Sequence, residues 1–211
     1  ACLFGAIAAN AIQNGNYEAR RLLDIGTGTG LLSLMIAQRN NAATIDAIEI
    51  DKDTCSQAME NITASPFKER INILHGDARA FTAENKYDVI ISNPPFYTNE
   101  LKSGNTKKDT AHHSNELELD DLLDIIKRNI NATTGKFFLL LPYKRYDEII
   151  DLLKDKGAFL IKETLVRQSF NHDYFRIILE ASFSFITEPA RKEIAIKDED
   201  DKYTAEFTGL L

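Results

Sequence analysis

The sequence predicts an α/β chain: a mostly parallel sheet covered by helices on both faces. Three observations carry this. Short apolar runs alternate with longer stretches whose apolar residues recur at helical spacing. The short runs are near-continuously apolar, as strands buried on both faces are. The first run, Arg21-Leu22-Leu23-Asp24-Ile25, flows into Gly26-Thr27-Gly28-Thr29-Gly30, a glycine-rich turn placed where such sheets bind ligands.

The elements follow in order. Ala1 to Ala9 is apolar but lacks a basic leader, so it reads as a helix packed on the core rather than a signal peptide. After the first strand, Leu31 to Gln38 predicts a helix and Thr44 to Ile50 the second strand. Asp53 to Ala64 predicts the next helix, with Asp53 as N-cap and Pro66 just past its end. Ile71 to His75 is the third strand and Asp88 to Ser92 the fourth. Leu119, Leu122, Leu123, Ile126 and Ile130 fall at helical spacing, and Gly135 is read as ending that helix. Lys136 to Leu141 is the fifth strand, and Tyr146 to Lys156 a helix stopped at Gly157. Phe159 to Val166 and Arg176 to Phe183 read as two last strands. The link between them, Gln168 to Tyr174, is too short for a helical crossover, so the final strand is expected to be antiparallel.

At 211 residues, with 44% hydrophobic and 27% charged, the chain is expected to form one domain over residues 1–211. No apolar run approaches the roughly 20 residues of a membrane helix. Cys2 and Cys55 have no metal or redox spacing, and His75, His112, His113 and His172 form no H-x-x-H pattern, so no metal is expected and the setting is read as cytoplasmic. A net charge of −7 argues against wholesale nucleic-acid binding, yet Lys102, Lys107 and Lys108 make a local basic lip. The polar, basic stretch 97–116 is read as a substrate loop or lid.

The chemistry lies at the strand ends. Gly26, Gly28 and Gly30 allow a sharp turn and close approach of a ligand to bare backbone. Asp24 either orders that turn or pairs with a cationic group. Glu49, ending the second strand, is an acid that can accept two hydrogen bonds from a ribose diol, or a solvated strand-end charge. Asp77, in Gly76-Asp77-Ala78, can accept from an adenine amino group or cap the following turn. Ile91-Ser92-Asn93-Pro94-Pro95-Phe96 closes the fourth strand. There the Asn93 side-chain carbonyl and the Pro94 main-chain carbonyl can draw on both N–H groups of a planar amine or amide. The prolines fix the backbone and Phe96 can stack on a base.

With these marks at the ends of strands one to four, the chain resembles the Rossmann-like class I methyltransferases that use S-adenosylmethionine. The resemblance implies seven strands in the order 3-2-1-4-5-7-6, with the last antiparallel. It assigns Asp24, Gly26, Gly28, Gly30, Glu49, Asp77, Ala78 and Asn93 to the cofactor, and Asn93, Pro94, Pro95 and Phe96 to catalysis. Leu22 to Arg39, Glu60-Asn61-Ile62-Thr63-Ala64-Ser65-Pro66-Phe67, Glu69-Arg70-Ile71, Ile90 to Phe96 and Tyr203-Thr204-Ala205-Glu206-Phe207 are similar to the bacterial tRNA1(Val) adenine-N6-methyltransferase family. That implies methylation of adenine 37, beside the anticodon, with the base flipped from its loop, which a single-stranded loop permits at low cost. The expected partner is tRNA, through its anticodon stem-loop, with no membrane and no metal, and the protein is expected to be a monomer. Lys102, Lys107, Lys108, Lys144, Arg145, Arg167 and Arg191 are candidate tRNA contacts; His112 and His113 receive no role. Alternative acceptors are a ribosomal-RNA base amine and a protein glutamine amide, and the non-enzyme alternative is a nucleotide- or RNA-binding module.

Overall fold

A computed structural model describes residues 1–15, 19–94, 117–185 and 188–210. Helix α1 (Cys2–Asn14) leads into β1 (Arg21–Ile25), α2 (Leu31–Arg39), β2 (Thr44–Glu49), α3 (Lys52–Thr63), β3 (Ile71–His75) and β4 (Val89–Ser92). Then come α4 (Leu119–Asn129), β5 (Lys136–Pro142), α5 (Tyr146–Lys156), β6 (Phe159–Ser169), β7 (Tyr174–Ser182), β8 (Ala190–Lys197) and α6 (Ala205–Thr208). The strands form one sheet in the order β3-β2-β1-β4-β5-β7-β6-β8. The first seven follow the expected order, and β7 alone of these strands runs against its neighbours.

The eighth strand corrects the expected seven. β8 pairs parallel to β6, from Lys162↔Ala190 to Ser169↔Lys197. Its amino-terminal half, Ala190-Arg191-Lys192-Glu193, is exposed or half-buried, and only Ile194 and Ala195 are buried. Such a lightly buried outer strand carries too weak an apolar pattern to announce itself.

Within each buried run, successive side chains point to opposite faces. Leu22 and Ile91 join the core beneath α1, α2 and α3, whereas Leu23 and Ile90 join the core beneath α4 and α5. α1 approaches α2 through Gly5, where a Cβ would meet Met35 Sδ at 2.5 Å. Arg70 ties the near edge together, its guanidinium donating to the carbonyls of Ala37 at 2.6 Å, Asn40 at 2.7 Å and Ala43 at 3.1 Å.

Several boundaries differ from expectation: β6 runs on to Ser169 and β7 starts at Tyr174, so the link between them is shorter than Gln168 to Tyr174. Asp51, not Asp53, caps α3: its Oδ1 accepts from Thr54 N at 2.8 Å, and Asp53 lies inside the first turn. Gly135 does not end α4, which stops at Asn129; a Cβ at Gly135 would meet Asn131 O and Ile130 Cγ1 at 2.5 Å, so the residue is small because the turn into β5 is tight. Gly157 ends α5 as expected, with φ 73°.

Candidate active site

The carboxyl ends of β1, β2, β3 and β4 surround a cavity of about 700 Å³, a size typical of small-molecule sites. Register explains the convergence. Ile25 lies beside Ile48 on one side and Ser92 on the other, and Glu49 lies beside His75. All four strands therefore end level, and the loops after them face one space. Ser92 Oγ donates to Ile25 O at 2.8 Å, tying the root of the Asn93 segment to the root of the glycine turn.

Gly26, Gly28, Glu49, Asp77, Ala78, Asn93 and Pro94 border this cavity. Gly26 and Gly28 have φ of 69° and 60°, and a Cβ built on either has no heavy atom within 4 Å. The backbone there is open toward the cavity. Gly30, also at positive φ, does not border the cavity; a Cβ there would meet Ile62 Cδ1 at 3.2 Å, so its role is close packing of α2 on α3.

Asp24 is also off the cavity wall. It is fully buried, and its Oδ2 accepts from Thr27 Oγ1 at 2.6 Å and Ser33 Oγ at 2.8 Å. Of the two roles open to it, the hydrogen bonds are those of an acid that orders the turn. Burial pushes its carboxyl up to about 6, opposed by the two hydroxyls and assisted by the nearby Glu49 charge. Its Oδ1 is buried without a partner.

Glu49 does more than end a strand. Its Oε2 accepts from Gly28 N at 2.9 Å and its Oε1 from Asp51 N at 3.0 Å, so one side chain braces the glycine turn and the start of α3. A carboxylate has about four acceptor sites, so each oxygen keeps capacity for a further donor. Asp77 is engaged too. Arg79 Nε lies 2.9 Å and 3.0 Å from its two oxygens and Arg79 Nη2 lies 2.8 Å from Oδ2, which holds the Asp77 carboxyl below its ordinary range. Arg79 also borders the cavity and was not among the sequence candidates; its only trace was an arginine two places after an acid. Arg128 of α4 holds the same turn from behind, donating through Nη2 to Arg79 O at 2.9 Å and Phe81 O at 3.0 Å. Ile50, 45% exposed, offers an apolar cavity face that a strand reading does not single out.

Polar acceptors at Glu49 and Asp77, an apolar wall at Ile50 and bare backbone at Gly26 and Gly28 suit an adenosine moiety with a charged extension. These groups thus fit the expected cofactor. Among the described residues no group of His, Cys, Asp and Glu could hold a metal, and no helix is long and apolar enough to cross a membrane. Pro95, Phe96, Lys102, Lys107, Lys108, His112, His113 and the 97–116 segment lie outside the described residues. Arg145, Arg167 and Arg191 are paired with Glu148, Glu193 and Glu163 respectively.

Residues 6–120 match the family described as the methyltransferase small domain. The chain is 36% identical over 195 residues, 92% of its own length and 81% of the relative's, to the tRNA1(Val) (adenine(37)-N6)-methyltransferase of Parabacteroides distasonis. It is 39% identical over 194 residues, 90% and 78% of the two chains, to the protein of the same name from Dyadobacter fermentans. Its fold is similar to that of Atu636 from Agrobacterium tumefaciens, described as a predicted O-methyltransferase, with a TM-score of 0.72 at 17% identity over 99% and 93% of the chains. It is also similar to the glycopeptide N-methyltransferase MtfA complexed with S-adenosylmethionine, with a TM-score of 0.61 at 13% identity over 84% and 93%.

Proposed function

The chain belongs to the tRNA1(Val) (adenine(37)-N6)-methyltransferase family, and on that premise we propose that it moves a methyl group from S-adenosylmethionine to N6 of adenine 37 in the anticodon loop of a valine tRNA. The observation that carries the reading is the meeting of Gly26, Gly28, Glu49, Asp77 and Asn93 around one cavity.

The cofactor, when bound, supplies a methyl already activated by a cationic sulfur. The residues position both reactants. Gly26 and Gly28 receive the cofactor's extended part along open backbone, Glu49 takes the ribose hydroxyls on its remaining lone pairs, and Asp77 accepts from the adenine amino group. Asn93 Oδ1 and the Pro94 carbonyl accept the two N–H groups of the substrate amine. That drawing-off shifts the nitrogen lone pair out of the ring and toward the methyl. In-line placement then supplies much of the rate. With the cofactor bound, the nitrogen would gain the methyl carbon as the sulfur–methyl bond breaks to leave a neutral thioether, and its proton would pass to solvent water, so no redox partner is needed. By sequence, Pro95 and Phe96 complete this substrate wall.

The test is a labelled-methyl assay on total tRNA from a strain lacking the gene. Label is expected in one valine tRNA as N6-methyladenosine; label only in ribosomal RNA or protein sinks the reading. Asn93→Ala is expected to abolish transfer while leaving cofactor affinity near normal, since Asn93 mainly serves the substrate.

A further inference from the structure

The β6–β7 hairpin is longer than the parallel strands demand. β5 ends at Pro142, which pairs with Arg176, and Leu140 and Arg176 both border the cavity. The hairpin continues past that level through Arg167↔Tyr174 to a tip around Phe170. The tip therefore projects beyond the edge of the sheet where the cavity opens.

This tip is built from aromatic rings and guanidinium groups. Phe170 is 51% exposed and Phe175 39% exposed. The Arg167 guanidinium lies 5.2 Å from the Phe170 ring and 5.6 Å from Tyr174, and Arg176 lies 5.4 Å from Phe175. Tyr143, just past the end of β5, extends the patch through rings 5.3 Å from Tyr174 and 5.7 Å from Tyr146. Hydrogen bonds close the tip: Ser169 Oγ and His172 Nδ1 are 2.7 Å apart, and His172 N donates to Ser169 O at 3.1 Å.

Charge here is nearly balanced, because Glu193 faces Arg167 at 3.5 Å and Asp173 sits on the turn. A phosphate-gripping surface needs a cationic surplus. A surface of exposed rings and guanidinium planes instead matches the flat faces of unpaired bases, which stack on aromatics and on arginine alike. Arg176 joins the two regions, bordering the cavity while lying over Phe175.

We infer that the hairpin tip, through Phe170 and Phe175, is a stacking platform for unpaired bases that flank the nucleotide entering the cavity. The inference rests on the reading of the protein as a tRNA methyltransferase and adds the surface that holds the loop while one base is out of it. Exposed phenylalanines on a soluble surface are otherwise an invitation to self-association, so a second copy of this chain is the occupant to be tested against.

The experiment measures binding of an anticodon stem-loop RNA to the full chain in the presence of S-adenosylhomocysteine. Phe170→Ala with Phe175→Ala is expected to weaken RNA binding roughly tenfold or more, with cofactor affinity unchanged. Phe170→Tyr with Phe175→Tyr is expected to restore it, since the ring is what stacks. The dependence of affinity on salt should stay as in the unaltered protein, because no phosphate contact is removed. Equal RNA affinity in the alanine variant overturns the platform, as does failure of the unaltered protein to bind the stem-loop. A concentration-dependent dimer that disappears in the alanine variant without a change in RNA affinity overturns it in favour of a second copy. RNA binding that depends on the two rings, but with label arriving elsewhere than adenine N6, leaves the platform standing and removes the proposed reaction instead.

Discussion

Glu49 accepts the amide of Gly28 through Oε2 at 2.9 Å, so the acid that ends β2 anchors the turn that ends β1. The cavity-facing backbone and its acidic partner are one hydrogen-bonded unit. Glu49→Gln cannot present acceptors to both the Gly28 and Asp51 amides. It is expected to weaken binding of S-adenosylhomocysteine at least roughly tenfold, the scale of one charge-assisted hydrogen bond. Calorimetric titration checks this, and unchanged affinity contradicts it.

The two glycines two places apart should separate stability from binding. Both Gly28 and Gly30 sit at positive φ, which costs an L-residue about 1–2 kcal/mol. Gly30→Ala adds a squeeze against Ile62, so it should destabilise more than Gly28→Ala. Gly28→Ala places its methyl in open cavity space and should weaken cofactor binding more. Thermal melting and cofactor titration on the pair read the two orders, and the same ranking in both assays would contradict the assignment.

Asp24 makes a pH prediction of definite sign. Its carboxyl ionises near 3.8 when exposed and about 6 in the fold, with burial the main cause. The folded state holds the proton more tightly, so this group contributes stability that is fully present below pH 3.8 and is lost as pH rises to about 6. The loss is on the order of 3 kcal/mol. Asp24→Asn cannot ionise. The unfolding free energy of the unaltered protein minus that of Asp24→Asn should fall between pH 4 and pH 7; a flat difference refutes the buried acid's role.

Asp77 and Arg79 should behave as a pair. Arg79→Ala frees the Asp77 carboxyl to turn and raises it toward its ordinary range. The expected cost is roughly threefold to tenfold in cofactor affinity, modest because the pair is partly exposed. In a double-mutant cycle with Asp77→Ala the losses should not add. Full additivity would mean that Arg79 contacts the ligand independently.

Much of this was legible in the sequence because buried parallel strands advertise themselves. Leu22 to Ile25 and Val89 to Ser92 are mostly apolar and buried on both faces, and the marks at their ends inherit their positions from the sheet. Other features are decided by three-dimensional neighbours that spacing does not encode. Gly26, Gly28 and Gly30 look alike in the sequence, yet only the first two face the cavity, because the third meets Ile62 of α3. Asp51 and Asp53 are both plausible caps, and the choice follows from where β2 releases the chain. Arg79 became visible only once its guanidinium was seen across the Asp77 carboxylate. The run 197–202, which reads as an acidic block, folds as a tight turn: Asp198 Oδ1 accepts from Asp200 N at 2.9 Å and Lys202 N at 3.0 Å.

The unannounced strand β8 bears on how the protein behaves in concentrated solution. One side of β8 pairs with β6, and among the described residues no named strand pairs with the other, which makes it an edge where a passing strand could add. The chain itself covers part of that side: Thr204 N donates to Ile196 O at 3.1 Å, Thr204 Oγ1 donates to Ala195 O at 2.7 Å, and Lys192 pairs with Glu206 at 2.8 Å. No residue of β8 borders the cavity. Loss of the 203–208 segment should therefore spare turnover in dilute enzyme and shorten shelf life instead, by opening a template on which copies can polymerise.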